Sequence, residues 1–216
     1  MIHNISIDIF KRRAGLVIGT GTSINQYHLD AYKKFICFGI NYGLRVHDFY
    51  SYYFCEENYA IQKLSDEIKD YAKHCSVWLR EDKKKWCDSD NIKFFQKHYD
   101  YSGRFQKGTL NSVYDATYLL ALNMAYNVGC NPIYLIGFDL CTQDGQIWGL
   151  PEFPDKSVAD ALKENPDFIS GSVNKYREQM KYTGVIAAQL KGEGIKVINC
   201  SRISVVEDFE KGELPS

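Results

Sequence analysis

The residues best suited to chemistry stand where an apolar run gives way to glycine, hydroxyl or carboxylate side chains. The first such place is Gly19-Thr20-Gly21-Thr22-Ser23, directly behind the run AGLVIG (Ala14–Gly19). Glycines let a backbone turn tightly and approach a ligand closely. Free amides at a helix start attract phosphate, and Thr20, Thr22 and Ser23 add hydroxyl donors. This predicts nucleotide or phosphate binding; a tight turn with Ser23 as a plain N-cap is the other reading. No Gly-Lys-Ser/Thr follows, and the third glycine of the dinucleotide fingerprint is missing. Neither a Walker A loop nor a dinucleotide oxidoreductase is therefore expected.

The second place is Ile136-Gly137-Phe138-Asp139, ending the run PIYLIG (Pro132–Gly137). Ligands of open α/β sheets gather at the carboxyl ends of strands. Asp139 could hold a ribose hydroxyl, a metal or an acceptor proton, or simply cap the next turn. Asp144-Gly145 is a turn that could bring up a second carboxylate. The third place is Gly108-Thr109-Leu110-Asn111-Ser112, where Asn111 and Ser112 could bind a base or phosphate, or cap the helix behind them. Asn41, past the second apolar run, and Glu56-Glu57-Asn58, past the third, complete a rim, although charged pairs after strands are more often solvated.

Other chemistries find little support. The histidines at 3, 28, 47, 74 and 98 show no H-x-x-x-H spacing; His47 and His98 could be general bases. No Gly-x-Ser-x-Gly elbow exists. The cysteines at 37, 55, 75, 87, 130, 141 and 200 are odd in number and never C-x-x-C. They read as reduced, mostly buried thiols of a cytoplasmic protein, not a zinc site or a disulfide framework. Trp86, Phe94, Phe95 and Tyr99 could stack on a base or sugar, or form a small packed core.

Six apolar runs must position these groups: Ala14–Gly19, Phe35–Ile40, Tyr52–Cys55, Ser76–Leu79, Pro132–Gly137 and Ile195–Asn199. Such continuous runs suit strands covered on both faces. One helix is expected to start at Ser23. A second carries Val113, Ala116, Leu120 and Met124 and stops at Gly129. A third spans about Val173 to Leu190, with Tyr176, Met180, Ala187 and Leu190 on one stripe. The alternation predicts an α/β fold, Rossmann-like, with a mainly parallel sheet and helices on both faces. Residues 1–216 read as one domain, with 81–108 as an insert and 141–172 as a lid.

Composition narrows the partners. Lys+Arg 26 against Asp+Glu 27 gives a net charge of −1, so no broad nucleic-acid surface is expected. No apolar stretch reaches the length of a membrane span, and Lys11-Arg12-Arg13 follows a short mixed stretch unlike a secretory leader. The outlier is 14% aromatic content with 16 tyrosines, which suits either a sugar- and base-facing surface or core packing, and leaves a homo-oligomer open.

Three segments carry a resemblance. The first strand with Gly19-Thr20-Gly21-Thr22-Ser23 looks like the "GNGPS" start of the family-42 bacterial sialyltransferases. It also resembles the domain shared by 6-hydroxymethylpterin diphosphokinase-like proteins and motility-accessory-factor glycosyltransferases. Ala121 to Asp139 is similar to the helix, Gly and strand "IYLxGxD" signature of those families. Gly194 to Phe209 resembles the C-terminal strand and Ser-containing loop of the pterin-kinase-like group.

The resemblance implies a GT-A-like, single-sheet nucleotide site. Gly19, Thr20, Gly21 and Ser23 would face donor phosphates, Asn41 would contact the nucleotide, and Asp139 would match the signature Asp. The chain departs at Thr20 and Thr22, where the sialyltransferases carry Asn and Pro. Their catalytic His falls in the lid, and Cys141 to Gly194 contains none. The base would then be Asp139, Asp144 or another lid acid. The expected activity is transfer from a nucleotide-activated donor, chiefly glycosyl transfer from a nucleotide-sugar to a carbohydrate or other small acceptor. The alternatives are a diphosphokinase using ATP and Mg²⁺ held by Asp139, Asp144 or Glu56, and a non-catalytic nucleotide-binding protein. On this reading Asp139→Asn would leave the fold intact and remove activity, and Gly21→Val would abolish nucleotide binding.

Overall fold

All six apolar runs form strands. They are β1 (Gly15–Ile18), β2 (Ile36–Ile40), β3 (Tyr52–Cys55), β4 (Ser76–Arg80), β6 (Ile133–Ile136) and β7 (Val197–Asn199). Two more complete the sheet: β5 (Ile92–Phe95), from within the 81–108 segment, and the two-residue β8 (Glu210–Lys211). The computed structural model describes residues 5–95, 102–110, 116–141 and 168–215. All eight strands run parallel in the order β5-β4-β3-β2-β1-β6-β7-β8. The chain builds outward from β1 as far as β5, then crosses back to place β6 on the other side of β1. The direction of winding changes there, which is where open sheets leave a crevice at their carboxyl ends.

Period-two alternation sorts the strand side chains into two cores. Val17, Phe38, Phe54, Trp78 and Leu135 pack beneath α3 (Thr117–Asn127) and α4 (Phe168–Gly192). Leu16, Ile18, Cys37, Tyr53, Val77 and Leu79 face α1 (Asn58–Lys63) and α2 (Ser65–Tyr71). Each buried aliphatic side chain contributes about 1.5–3 kcal/mol relative to exposure. An α/β sheet covered on both faces is what the continuous apolar runs predict.

Every residue of α3 is buried. The stripe through Ala116, Leu120 and Met124 is thus one row of a helix covered all round. Its two asparagines find internal uses: Asn127 accepts from the Gly108 amide at 2.6 Å and donates to Thr109 O at 3.1 Å, tying the preceding loop across the helix. On α4 the buried row is Gln179, Thr183, Ile186 and Leu190, and Met180 and Ala187 flank it half-buried. Gly192, the last residue of α4, would meet nothing within 4 Å of an added Cβ. Gly192→Ala is expected to raise stability by about 0.5 kcal/mol in urea denaturation, through helix propensity and a less flexible unfolded chain.

The expected helix at Ser23 is instead a short 3₁₀ turn, Thr22–Gln26, with Gly21 at the N-cap position. Ser23 lies inside that turn, so it does not cap it. All seven cysteines are free and all but Cys141 are buried; burial pushes the Cys37 thiol up to about 12. No described aromatic side chain is exposed, and Tyr42, Tyr50 and Tyr53 belong to the core. On the β4–β5 flank Lys93 lies over Trp78, Lys84 over Phe94 and Lys85 over Trp86 at 4.3–5.6 Å, which keeps charge beside an open sheet edge. Among the described residues, no helix is long and apolar enough to cross a membrane.

Candidate functional site

The carboxyl ends of β1, β2, β3, β4 and β6 converge on a cavity of about 480 Å³. Gly19, Thr20 and Gly21 enter from β1, Asn41 from β2, Glu56 to Asn58 from β3, and Arg80 from β4. Gly137 to Cys141 follow β6, and Thr117 and Tyr118 open α3. Lys175, Tyr176 and Gln179 of α4 close the opposite wall. The site therefore occupies the crevice that the reversal of winding creates.

Two loops form its floor by touching backbone to backbone. A Cβ on Gly19 would stand 2.3 Å from Gly137 O, and one on Gly137 would stand 2.7 Å from Gly19 O. Gly137 also has φ +63°, a conformation side chains resist. The crossing is held by Gly19 N donating to Ile136 O at 2.8 Å and Gly21 N to Gly137 O at 3.0 Å. Glycine is required here by the close approach of the chain to itself.

The glycine turn does gather an anion, and the anion is Asp139. Its carboxylate accepts from the Ser23 amide at 2.8 Å, from the Thr22 hydroxyl at 3.3 Å, and from the Ser23 hydroxyl. Asp139 is 2% exposed. The amide and hydroxyls expected to face a phosphate are thus directed at a side chain 116 residues away. Ser23 is neither an N-cap nor turned to the cavity, whereas Thr20 and the Gly19 and Gly21 backbone remain on the cavity wall.

The C-terminal loop props this arrangement from behind. Phe138 N donates to the Ser201 hydroxyl at 2.8 Å, the Ser204 hydroxyl donates to Phe138 O at 2.6 Å, and Val205 N donates to Asp139 O at 3.1 Å. Asn199 holds Ser204 in turn, at 3.0 Å. The serines that carried the third likeness act structurally, by setting where Phe138 and Asp139 lie.

Asn41 is where the sequence placed it, just past β2, in left-handed conformation at φ +44°. Its Oδ1 is buried with no hydrogen-bond partner among the described residues, as is the hydroxyl of Tyr118, a residue 7% exposed. A buried polar atom without a partner costs about 1–3 kcal/mol, and both residues belong to the cavity wall. Glu56 is buried at the same rim. Asn111, Ser112 and Asp144 lie outside the described residues, as do residues 142–167 of the lid segment and His98. His47 lies on a separate shallow groove with His28 and Asp30.

Several lining residues escaped the sequence reading. Arg80 is the last residue of β4, and Asp82 grips its guanidinium at 2.5 Å and 2.9 Å. That grip holds the Asp82 carboxyl well below the usual carboxylate range. Lys83, 2% exposed, bonds Asn58 Oδ1 at 2.5 Å and so positions another wall residue. Burial raises Glu57 above the usual carboxylate range, against the opposing charge of Lys175. Burial likewise raises Tyr176, with Glu57 and Asp139 adding to the shift. Arg80 and Thr117 did carry a signal, as the polar residue ending a strand and the hydroxyl opening a helix. Lys175 and Tyr176 carried none. No protein-family model, curated protein or solved structure matches this chain.

Proposed function

We propose that this chain is a transferase that takes a nucleotide-activated donor, most simply a glycosyltransferase acting on a nucleotide-sugar. The observation that carries the reading is the cavity at the reversal of winding, with Asn41, Arg80, Tyr118 and Lys175 in its wall. An amide and a hydroxyl on one wall suit a ligand that both donates and accepts, as a nucleoside does. Arg80 and Lys175 on the same wall supply positive charge for a phosphate. With Asp139 seated in the glycine turn, those cations rather than the turn amides are the phosphate contacts of this reading.

A diphosphokinase stands second. Glu56 and Asp139 would be its metal ligands at this rim, but the Asp139 oxygens already accept bonds from Thr22 and Ser23. Among the described residues, no group of three or more His, Cys, Asp or Glu is arranged to hold a metal ion.

Thermal-shift titration with CMP, UDP, GDP, ADP and ATP, each with and without Mg²⁺, separates the readings. Stabilisation by CMP or a nucleoside diphosphate without metal is expected, and at a hundred times Kd it corresponds to about 2.7 kcal/mol. Stabilisation by ATP only in the presence of Mg²⁺ favours the kinase. No response to any nucleotide refutes both.

A further inference from the structure

Building on the donor-site reading, we propose that Glu57 is the general base of this pocket, and that it takes the proton of the acceptor hydroxyl in place of Asp139. A base must present a lone pair to the substrate and hold a proton near working pH. Asp139 is the poorer candidate on the first count, because three of its four lone-pair sites accept bonds from Thr22 and Ser23 in a site 2% exposed.

Glu57 is placed in the opposite way. It stands at the N-cap position of α1, where a carboxylate ordinarily accepts a helix amide. Here its side chain makes no capping bond, and the residue lines the cavity. Burial raises its proton affinity, the condition that suits a carboxylate to general-base work near neutrality. Lys175 opposes that shift. The other charged or titratable neighbours on this wall are Glu56, Tyr59, Arg80, Tyr118, Asp139, Cys141 and Tyr176.

The step balances without a co-reactant. The acceptor O–H proton moves to the Glu57 carboxylate. The oxygen electron pair forms the new bond to the anomeric carbon. The bond from that carbon to the donor phosphate oxygen breaks, and its electrons leave with the nucleotide.

Water can replace the acceptor, so release of nucleotide from CMP-N-acetylneuraminate, UDP-N-acetylglucosamine and GDP-mannose measures the step. Glu57→Gln is expected to slow release about 10²–10⁴-fold. Its melting temperature and its stabilisation by free nucleotide should stay at wild-type values. In wild type the acid limb of the pH–rate profile reports Glu57. Lys175→Met removes the charge that lowers its proton affinity, so that limb should move to higher pH.

Release within threefold of wild type in Glu57→Gln, with nucleotide stabilisation intact in both, overturns the assignment. An acid limb that stays in place in Lys175→Met counts against it also, as does a wild-type chain that binds nucleotide and turns over no donor. Failure of the wild-type chain to respond to any nucleotide would instead overturn the donor-site reading itself.

Discussion

Asp139→Asn is expected to lower the unfolding free energy by about 2–4 kcal/mol, because three hydrogen bonds to a carboxylate become weaker bonds to a neutral amide. The amide oxygen can still accept from the Ser23 amide and the Thr22 hydroxyl, while its NH2 must turn the Ser23 hydroxyl from donor to acceptor. With Asp139 2% exposed, water cannot make up the difference. At about 2–4 °C per kcal/mol for a domain of this size, the melting temperature should fall by roughly 5–15 °C. The GxD-type signature alone suggested an intact fold and lost activity. The geometry reverses that order, since the carboxylate fastens the loop after β1 to the loop after β6. Urea denaturation decides the matter. A change below about 1 kcal/mol, with activity abolished, would return Asp139 to a chemical role.

Gly19→Ala should be costlier still. Its Cβ would meet Gly137 O at 2.3 Å and Gly137 C at 2.9 Å, both backbone atoms that no rotamer change can move aside. Overpacking commonly costs about 1–3 kcal/mol; against two central strands the expected loss is about 3 kcal/mol or more, enough to impair folding at 37 °C. The same holds in part for Gly21, whose Cβ would stand 2.5 Å from Asp139 Oδ2. A Gly21→Val chain that fails to bind nucleotide is therefore informative only if circular dichroism and a cooperative melt show it folded. Gly192→Ala, at an open helix end, is the matched control. A cooperative Gly19→Ala melt within 3 °C of wild type would refute the crossing as drawn.

The strands were legible because a parallel sheet buried on both faces needs unbroken apolar runs, and FICFGI, YYFC and PIYLIG supply them. β5 was not, since IKFF carries an exposed lysine at the sheet edge, and neither was the two-residue β8. At the site, Asn41 and Asp139 could be read as polar residues ending strands, and both lie on the cavity. What spacing could not reveal was that one of them would fill the glycine turn. That depends on the loops after β1 and β6 crossing, a contact between segments more than a hundred residues apart. Lys175 and Tyr176 were hidden for a related reason: a helix face tells which residues are polar, and only packing tells which of them meet a strand end.

The strand order also fixes a sequence of events during synthesis. β1 can pair with β2 as soon as both leave the ribosome, but its other edge waits for β6, about 115 residues later, or roughly 6–20 s at ordinary elongation rates. Through that interval a four-residue apolar strand presents unpaired backbone to its surroundings, next to a half-built core awaiting α3. The nascent β1–β5 half-sheet is thus the stage at which this chain is most exposed to aggregation and to chaperones. The meeting of Asp139 with Ser23 comes after it and closes the seam.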